Sequence, residues 1–166
     1  MPLLSNAILG DMTIDPTVRA EALTFLRSHS AGVLATVAKD YTPIASVVYY
    51  VCDDSFNIYF LTKRDSRKFH AISAHPQAAF VVGRQDIPQT LQLSGVASEL
   101  VSSEDQNAHV TDLMNVLAAQ RVGLLPAGKM DGELAVMWFQ PRSIRWADFT
   151  KPAIGNENLF FEIPVN

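Results

Sequence analysis

Thr62, Ser66, Arg67 and Lys68 are the residues of this 166-residue chain whose types and spacing point most directly to chemistry. They lie in YFLTKRDSRKFH, where an apolar run ends in a hydroxyl and four of the chain's 13 basic residues follow closely, Lys63, Arg64, Arg67 and Lys68. The formal net charge is −4, so this cluster is a local exception. Ser66 suits the N-cap of a helix. Arg67 and Lys68 would then sit in a first turn whose dipole favours negative charge. An anion at the helix start removes that conflict. Free backbone N–H groups would meet it, Thr62 and Ser66 would donate hydroxyls, and the two cations would close round it. The chemistry is phosphate binding. As a charge run alone, KRDSRK also reads as a solvated turn in which Asp65 balances part of the charge.

Other chemistries find less support. His70 and His75 are five apart, which does not put them on one helix face. Without paired cysteines, neither they nor His29 and His109 make a zinc motif, so no metal site is expected. Cys52 is the only cysteine, which forbids an internal disulfide and fits a reducing, cytoplasmic setting. It has no evident partner for nucleophilic work. No G-x-S-x-G, G-x-G-x-x-G or P-loop pattern occurs. The acidic balance argues against a nucleic-acid surface. No apolar run is long enough to span a bilayer, and MPLLSNAILGDM lacks the basic start of a secretory signal. No residue stands out as a catalytic acid or base.

The elements that must position the cluster follow from periodicity and punctuation. DPTVRAEALTFLRSH opens with Asp15 as N-cap and Pro16 at the first helical position, and its apolar spacing predicts a helix over about 16–29. AGVLATVA, IASVVYYVC and FNIYFLT read as three strands joined by polar turns, an antiparallel meander. SRKFHAISAH is a short helix ended by Pro76. AAFVVG and TLQLSGVASELV are strands, with Gly95 marking a bulge or a close backbone approach. Ser103 and Gln106 form a capping-box pair opening a helix. GLLPAGKMDG is loop, ELAVMWFQP and RSIRWADFT are two final strands, and the tail from Thr150 to Asn166 shows no clear periodicity. The chain reads as one domain, residues 1–166, with its core over about 16–149. Six or seven antiparallel strands with about three helices predict a mostly β, small closed or half-closed barrel flanked by helices, because closure removes sheet edges.

With these residues in place, the stretch YFLTKRDSRKFHAISAHPQAAFVV resembles the signature of the pyridoxamine 5'-phosphate oxidase-like, FMN-binding split-barrel proteins. The likeness runs from about Ala31 to Leu100, through GVLATVAKDYTPIASVVYYV and LQLSGVASEL. It implies an antiparallel Greek-key split barrel that forms a homodimer, with FMN in a groove between subunits. It further implies flavin contacts by Ser46 and Val47 on one strand, Leu61 and Thr62 on the next, Ser66, Arg67 and Lys68 at the helix start, and Gln92. The oxidases carry an Arg where this chain has Ser46 and a Lys where it has Val51, and their Gly-rich C-terminal segment has no counterpart here. The resemblance therefore implies an FMN-dependent oxidoreductase with a small-molecule redox substrate, without extending to pyridoxamine phosphate itself. A non-catalytic flavin-binding or stress-related module is the other expectation. Deazaflavin is an alternative cofactor, and haem ranks last because no His follows His109. Tyr49, Tyr50, Trp138 and Trp146 could border a flavin. Only one of Arg145 and Trp146 can face any one site. Trp138, Phe139, Phe160 and Phe161 are candidates for a subunit interface.

Overall fold

The computed structural model describes residues 16–83, 86–101, 103–119, 134–151 and 159–165. The described elements run in the order α1 (Pro16–Arg27), β1 (Ala31–Val37), β2 (Pro43–Cys52), β3 (Ile58–Lys63), α2 (Arg67–Ala74), β4 (Gln77–Gly83), β5 (Gln89–Glu99), α3 (Ser103–Ala119), β6 (Leu134–Asp148) and β7 (Phe160–Ile163). Every strand pairing is antiparallel. Strands β1–β3 and β4–β6 form two meanders joined along β1–β4 and again along β3–β6, so six strands close into a barrel. β4 returns beside β1, the Greek-key step. β7 adds to the far half of β6. No helix among the described residues is long and apolar enough to cross a membrane.

Alternation fills the barrel. Leu34, Val48, Tyr50, Phe60, Phe80, Leu91, Leu93 and Phe139 point inward and are buried. α1 adds Ala22, Leu23, Phe25 and Leu26 to the same core. Phe25 packs on Trp146 with ring centroids 4.8 Å apart, and the Tyr50 hydroxyl donates to the Leu26 carbonyl at 2.7 Å. β3 breaks alternation: Ile58, Tyr59 and Phe60 are all buried. Its outer face is covered as well, because Tyr59, Leu113 of α3 and Val136 form a second apolar cluster with Val110 and Trp138 at its edge. That cluster fastens α3 across β2 and β3.

Several expectations need correction. ELAVMWFQP and RSIRWADFT are one strand, β6, rather than two. Pro141 looked like a terminator, but the register shifts there: Ser94 faces Ser143 and Gly95 faces Pro141, leaving Arg142 as the extra residue of a bulge. A bulge is where a proline can sit inside a sheet. Gly95 is needed at that spot, because a Cβ would lie 2.0 Å from the Gln140 carbonyl oxygen. The tail contains β7, whose four residues are too few to show a period. α1 ends at Arg27, two residues early, and Ser103 is the first residue of α3 rather than the one before it. Phe139 is fully buried inside the barrel and offers nothing to an interface. Trp146 and Tyr50 are core residues as well. Asp15 and GLLPAGKMDG lie outside the described residues.

Candidate functional site

The helix start is built as the sequence implies. Ser66 has extended backbone angles (φ −76°, ψ 149°), and its Oγ accepts the Phe69 N–H at 3.2 Å. His70 N–H bonds the Ser66 carbonyl at 3.1 Å, opening the intrahelical ladder. The amides of Arg67 and Lys68 fall before that ladder and have no intrahelical acceptor. The first turn holds no acidic side chain. Thr62, the buried penultimate residue of β3, sits 2.9 Å from Ser66, hydroxyl to hydroxyl. One proton serves that bond. Whichever residue donates it, the other retains an O–H for a ligand.

These residues border a groove of about 270 Å³ on the outside of the barrel. Val47 and Tyr49 of β2, Leu61 and Thr62 of β3, Ser66, and Lys68 of α2 line it, and Leu113 of α3 and Leu134 of β6 complete the wall. Val47, Leu61, Thr62, Ser66 and Lys68 of the expected site are thus brought together. Three others are not. Ser46 lies on the alternate face of β2 from Val47 and Tyr49. Gln92 is on β5, opposite Val81 and Arg145. Arg67 lines the adjoining groove on the other flank of α2, with Lys39, Asp40, His70 and His75. One residue along a helix is a turn of about 100°, enough to part it from Lys68. Arg64 is engaged elsewhere, donating to both carboxylate oxygens of Glu99. Lys63 is exposed at the groove edge.

Tyr49, Leu113 and Leu134 were missed or left open as lining residues. Outward alternation from buried Val48 and Tyr50 singles out Tyr49 in the sequence. Leu113 belongs to a helix whose docking site no local signal reveals. Among the described residues no Asp, Glu, His or Cys lines this groove. Cys52 borders a separate pocket, and burial pushes its thiol up to about 11 against the opposing pull of Arg27. It stays protonated at neutral pH and is a poor nucleophile. Among the described residues no group of three or more His, Cys, Asp or Glu could hold a metal.

Beyond the groove, the outer sheet face is apolar. Val47, Val33 and Val81 stand side by side across β2, β1 and β4, with Ala45, Ala35 and Ala79 in the next row. Val47 is 69% exposed, Val33 41% and Val81 39%.

A six-stranded Greek-key barrel with an anion-ready helix start beside an apolar external groove defines the split-barrel class. The family model described as pyridoxamine 5'-phosphate oxidase matches residues 18–146, and the chain belongs to that family. A pyridoxine/pyridoxamine 5'-phosphate oxidase of Bordetella petrii is 35% identical over 80 residues, 48% of this chain and 38% of that protein. The chain therefore matches well under half of that relative's length. Two solved structures share the fold. A protein from Clostridium acetobutylicum related to general stress protein 26 superposes with TM-score 0.69 at 12% identity, covering 92% of this chain and 97% of the other. A haem-binding protein from Mycobacterium smegmatis gives 0.68 at 18% identity, covering 91% and 59%.

Proposed function

We propose that this protein binds FMN in the groove beside α2 and acts as a flavin-dependent oxidoreductase on a small-molecule substrate. The observation that carries this reading is the meeting of Thr62, Ser66 and Lys68 at a helix start that opens onto an apolar wall. The spare hydroxyl proton, the first-turn amides and the Lys68 ammonium would hold the phosphate. Val47, Tyr49 and Leu61 would face the ring, with Arg67 approaching from the adjoining groove. The bound flavin would supply the redox chemistry, and the protein its position and field. A deazaflavin offers a phosphate to the same donors. For haem, the groove lining provides no His or Cys as an axial ligand.

The site needs a second wall. About 270 Å³ falls short of the roughly 300–1,000 Å³ of small-molecule sites. The exposed valine row continues from Val47, a groove residue, and a second copy of the chain packed there would supply that wall and cover the apolar face. A homodimer is therefore part of the proposal.

One observation favours a second reading, a flavin-binding module without turnover: among the described residues no carboxylate, imidazole or thiol lines the groove. Both readings are tested by the visible spectrum of the purified protein with its released cofactor identified by mass, followed by addition of reduced pyridine nucleotide. Bound FMN that bleaches and recovers with a second substrate supports the oxidoreductase. Bound FMN that never bleaches supports the module. A protein that takes up no flavin ends both.

A further inference from the structure

A pocket of about 360 Å³ lies away from α2, between the end of α1, β2 and α3. Its volume is within the range of small-molecule sites. Leu26, Val51 and Val116 give it apolar walls, and Arg27, Ser30 and Cys52 give it polar groups. α3 parts it from the groove beside Lys68. Tyr49 and Leu113 line that groove, whereas Val51, the next outward residue of β2, and Val116, three residues further along α3, line this pocket.

The polar groups here are donors: a guanidinium, a hydroxyl and a thiol. Among the described residues no Asp or Glu lines the pocket. Burial pushes the Cys52 thiol up to about 11, and Arg27 lies close enough to pull it the other way. The thiol therefore stays a neutral S–H, and the guanidinium reaches the pocket. The acid partner of Arg27 is Asp54, in a pair whose side chains are 50% and 83% exposed. Water screens such a pair, and it holds Arg27 weakly. Asp53 is already engaged: its carboxylate accepts the N–H groups of Ser55 and Asn57, the Asn57 amide and the Tyr59 hydroxyl at 2.8–3.1 Å. Ser28 Oγ and His29 Nδ1 turn to the Phe25 carbonyl, at 2.8 and 2.7 Å, and so close the end of α1.

We propose that this pocket binds a small monocarboxylate with an apolar body. Arg27 and Ser30 donate to the carboxylate, the Cys52 thiol lies beside it, and Leu26, Val51 and Val116 enclose the body. One guanidinium matches one planar carboxylate, whereas a dianion would leave a charge uncompensated. The ligand takes Arg27 from Asp54, exchanging a water-screened pair for one sheltered beside α3. The inference stands independently of the flavin reading.

The test titrates benzoate, benzamide and acetate into the intact chain, read by calorimetry and by the alkylation rate of Cys52, the only cysteine. Benzoate should saturate below about 10 mM and slow the alkylation. Benzamide has the shape without the charge, and acetate the charge without the body, so each should bind about tenfold more weakly or worse. Arg27→Gln should weaken benzoate about tenfold, and Arg27→Lys should recover part of the loss. Asp54→Asn should tighten it, because the guanidinium is released. A purely structural Arg27–Asp54 pair would leave benzoate binding the same in both variants. The proposal is overturned if benzoate does not saturate, if benzamide binds as well, or if Arg27→Gln binds like wild type. Unchanged Cys52 alkylation under saturating benzoate overturns it too, as does competitive displacement by FMN, which would join the pocket to the flavin groove. Benzoate binding in a protein that takes up no FMN would leave this site standing and the flavin reading fallen.

Discussion

The two flanks of α2 are built from neighbouring residues and differ in almost every physical respect. On the Lys68 flank, hydroxyls and the ammoniums of Lys68 and, at the edge, Lys63 meet an apolar wall roofed by α3. On the Arg67 flank, cations and imidazoles line an open groove beside a strained hairpin. The sequence RK places two like charges side by side, and helix geometry sends them to different places. A basic dipeptide at a helix start is therefore not automatically a clamp on one anion. Its two members can face different grooves, and the twist of the helix decides which.

The largest expected effect breaks the comparison from the Lys68 side. Leu113 is 1% exposed and anchors α3 over the groove beside Lys68. Leu113→Ala should cost about 2–5 kcal/mol in stability, the range for a buried leucine. Chemical denaturation measures that loss. Flavin titration of the folded variant should show weakened FMN binding. Unchanged FMN affinity would show that α3 supports the barrel without shaping the groove.

Next comes the phosphate itself. Lys68→Ala should weaken FMN by roughly 1.5–3 kcal/mol, about tenfold to a hundredfold, the worth of one charge-assisted contact. Arg67→Ala should weaken it less. Riboflavin, which lacks the phosphate, should be nearly indifferent to Lys68→Ala. Fluorescence-quenching titrations decide the order, and a reversed order would move the clamp to the Arg67 flank.

A smaller effect concerns charge on the open flank. The Thr42 backbone N–H, then its side chain, hold the Asp40 carboxyl below its ordinary range, with Arg67 adding a weaker pull. A carboxylate with a depressed folded value stabilises the fold above its unfolded value. That contribution disappears as pH falls through the folded one. The hairpin should therefore loosen only in acid, below the ordinary 3.8. Amide exchange at Tyr41 and Thr42 would show it, and Asp40→Asn should remove the acid step.

How far the sequence carries this picture differs from element to element. The meander, the Ser66 cap and the special demand at Gly95 were legible because each rests on local chemistry: alternation, a hydroxyl at a helix start, a residue without Cβ. From sequence β6 reads as two strands because Pro141 signals a break locally, and only its partner strand shows that a bulge absorbs it. β7 escaped because a four-residue edge strand is defined by pairing with β6 rather than by its own pattern. In the site, the residues of one strand–helix corner were found together. Leu113 and Leu134 arrive from elements distant in sequence, and the parting of Arg67 from Lys68 is a matter of helix phase. As a helical pair, five residues apart, His70 and His75 would not share a face. They share a groove because His75 ends the helix with extended angles, φ −139° and ψ 105°, and so leaves the helical spacing.

The smallest effect tests what the two flanks share. Arg67 and Lys68 both stand in the first turn of α2, no acidic side chain accompanies them there, and the helix has no basic residue in its last turn. Both cations therefore oppose the macrodipole whichever groove they face. Without ligand, Arg67→Ala and Lys68→Ala should each leave the protein as stable or up to about 1 kcal/mol more stable, since a charge against the dipole is worth roughly 0.3–1 kcal/mol at low salt. Melting curves at low and high salt measure this, and the gain should shrink with salt. With ligand the signs part. FMN should restore the advantage of Lys68 over its alanine variant more than that of Arg67 over its own. If FMN restores both equally, the two cations share one anion, and the distinction between the flanks does not hold.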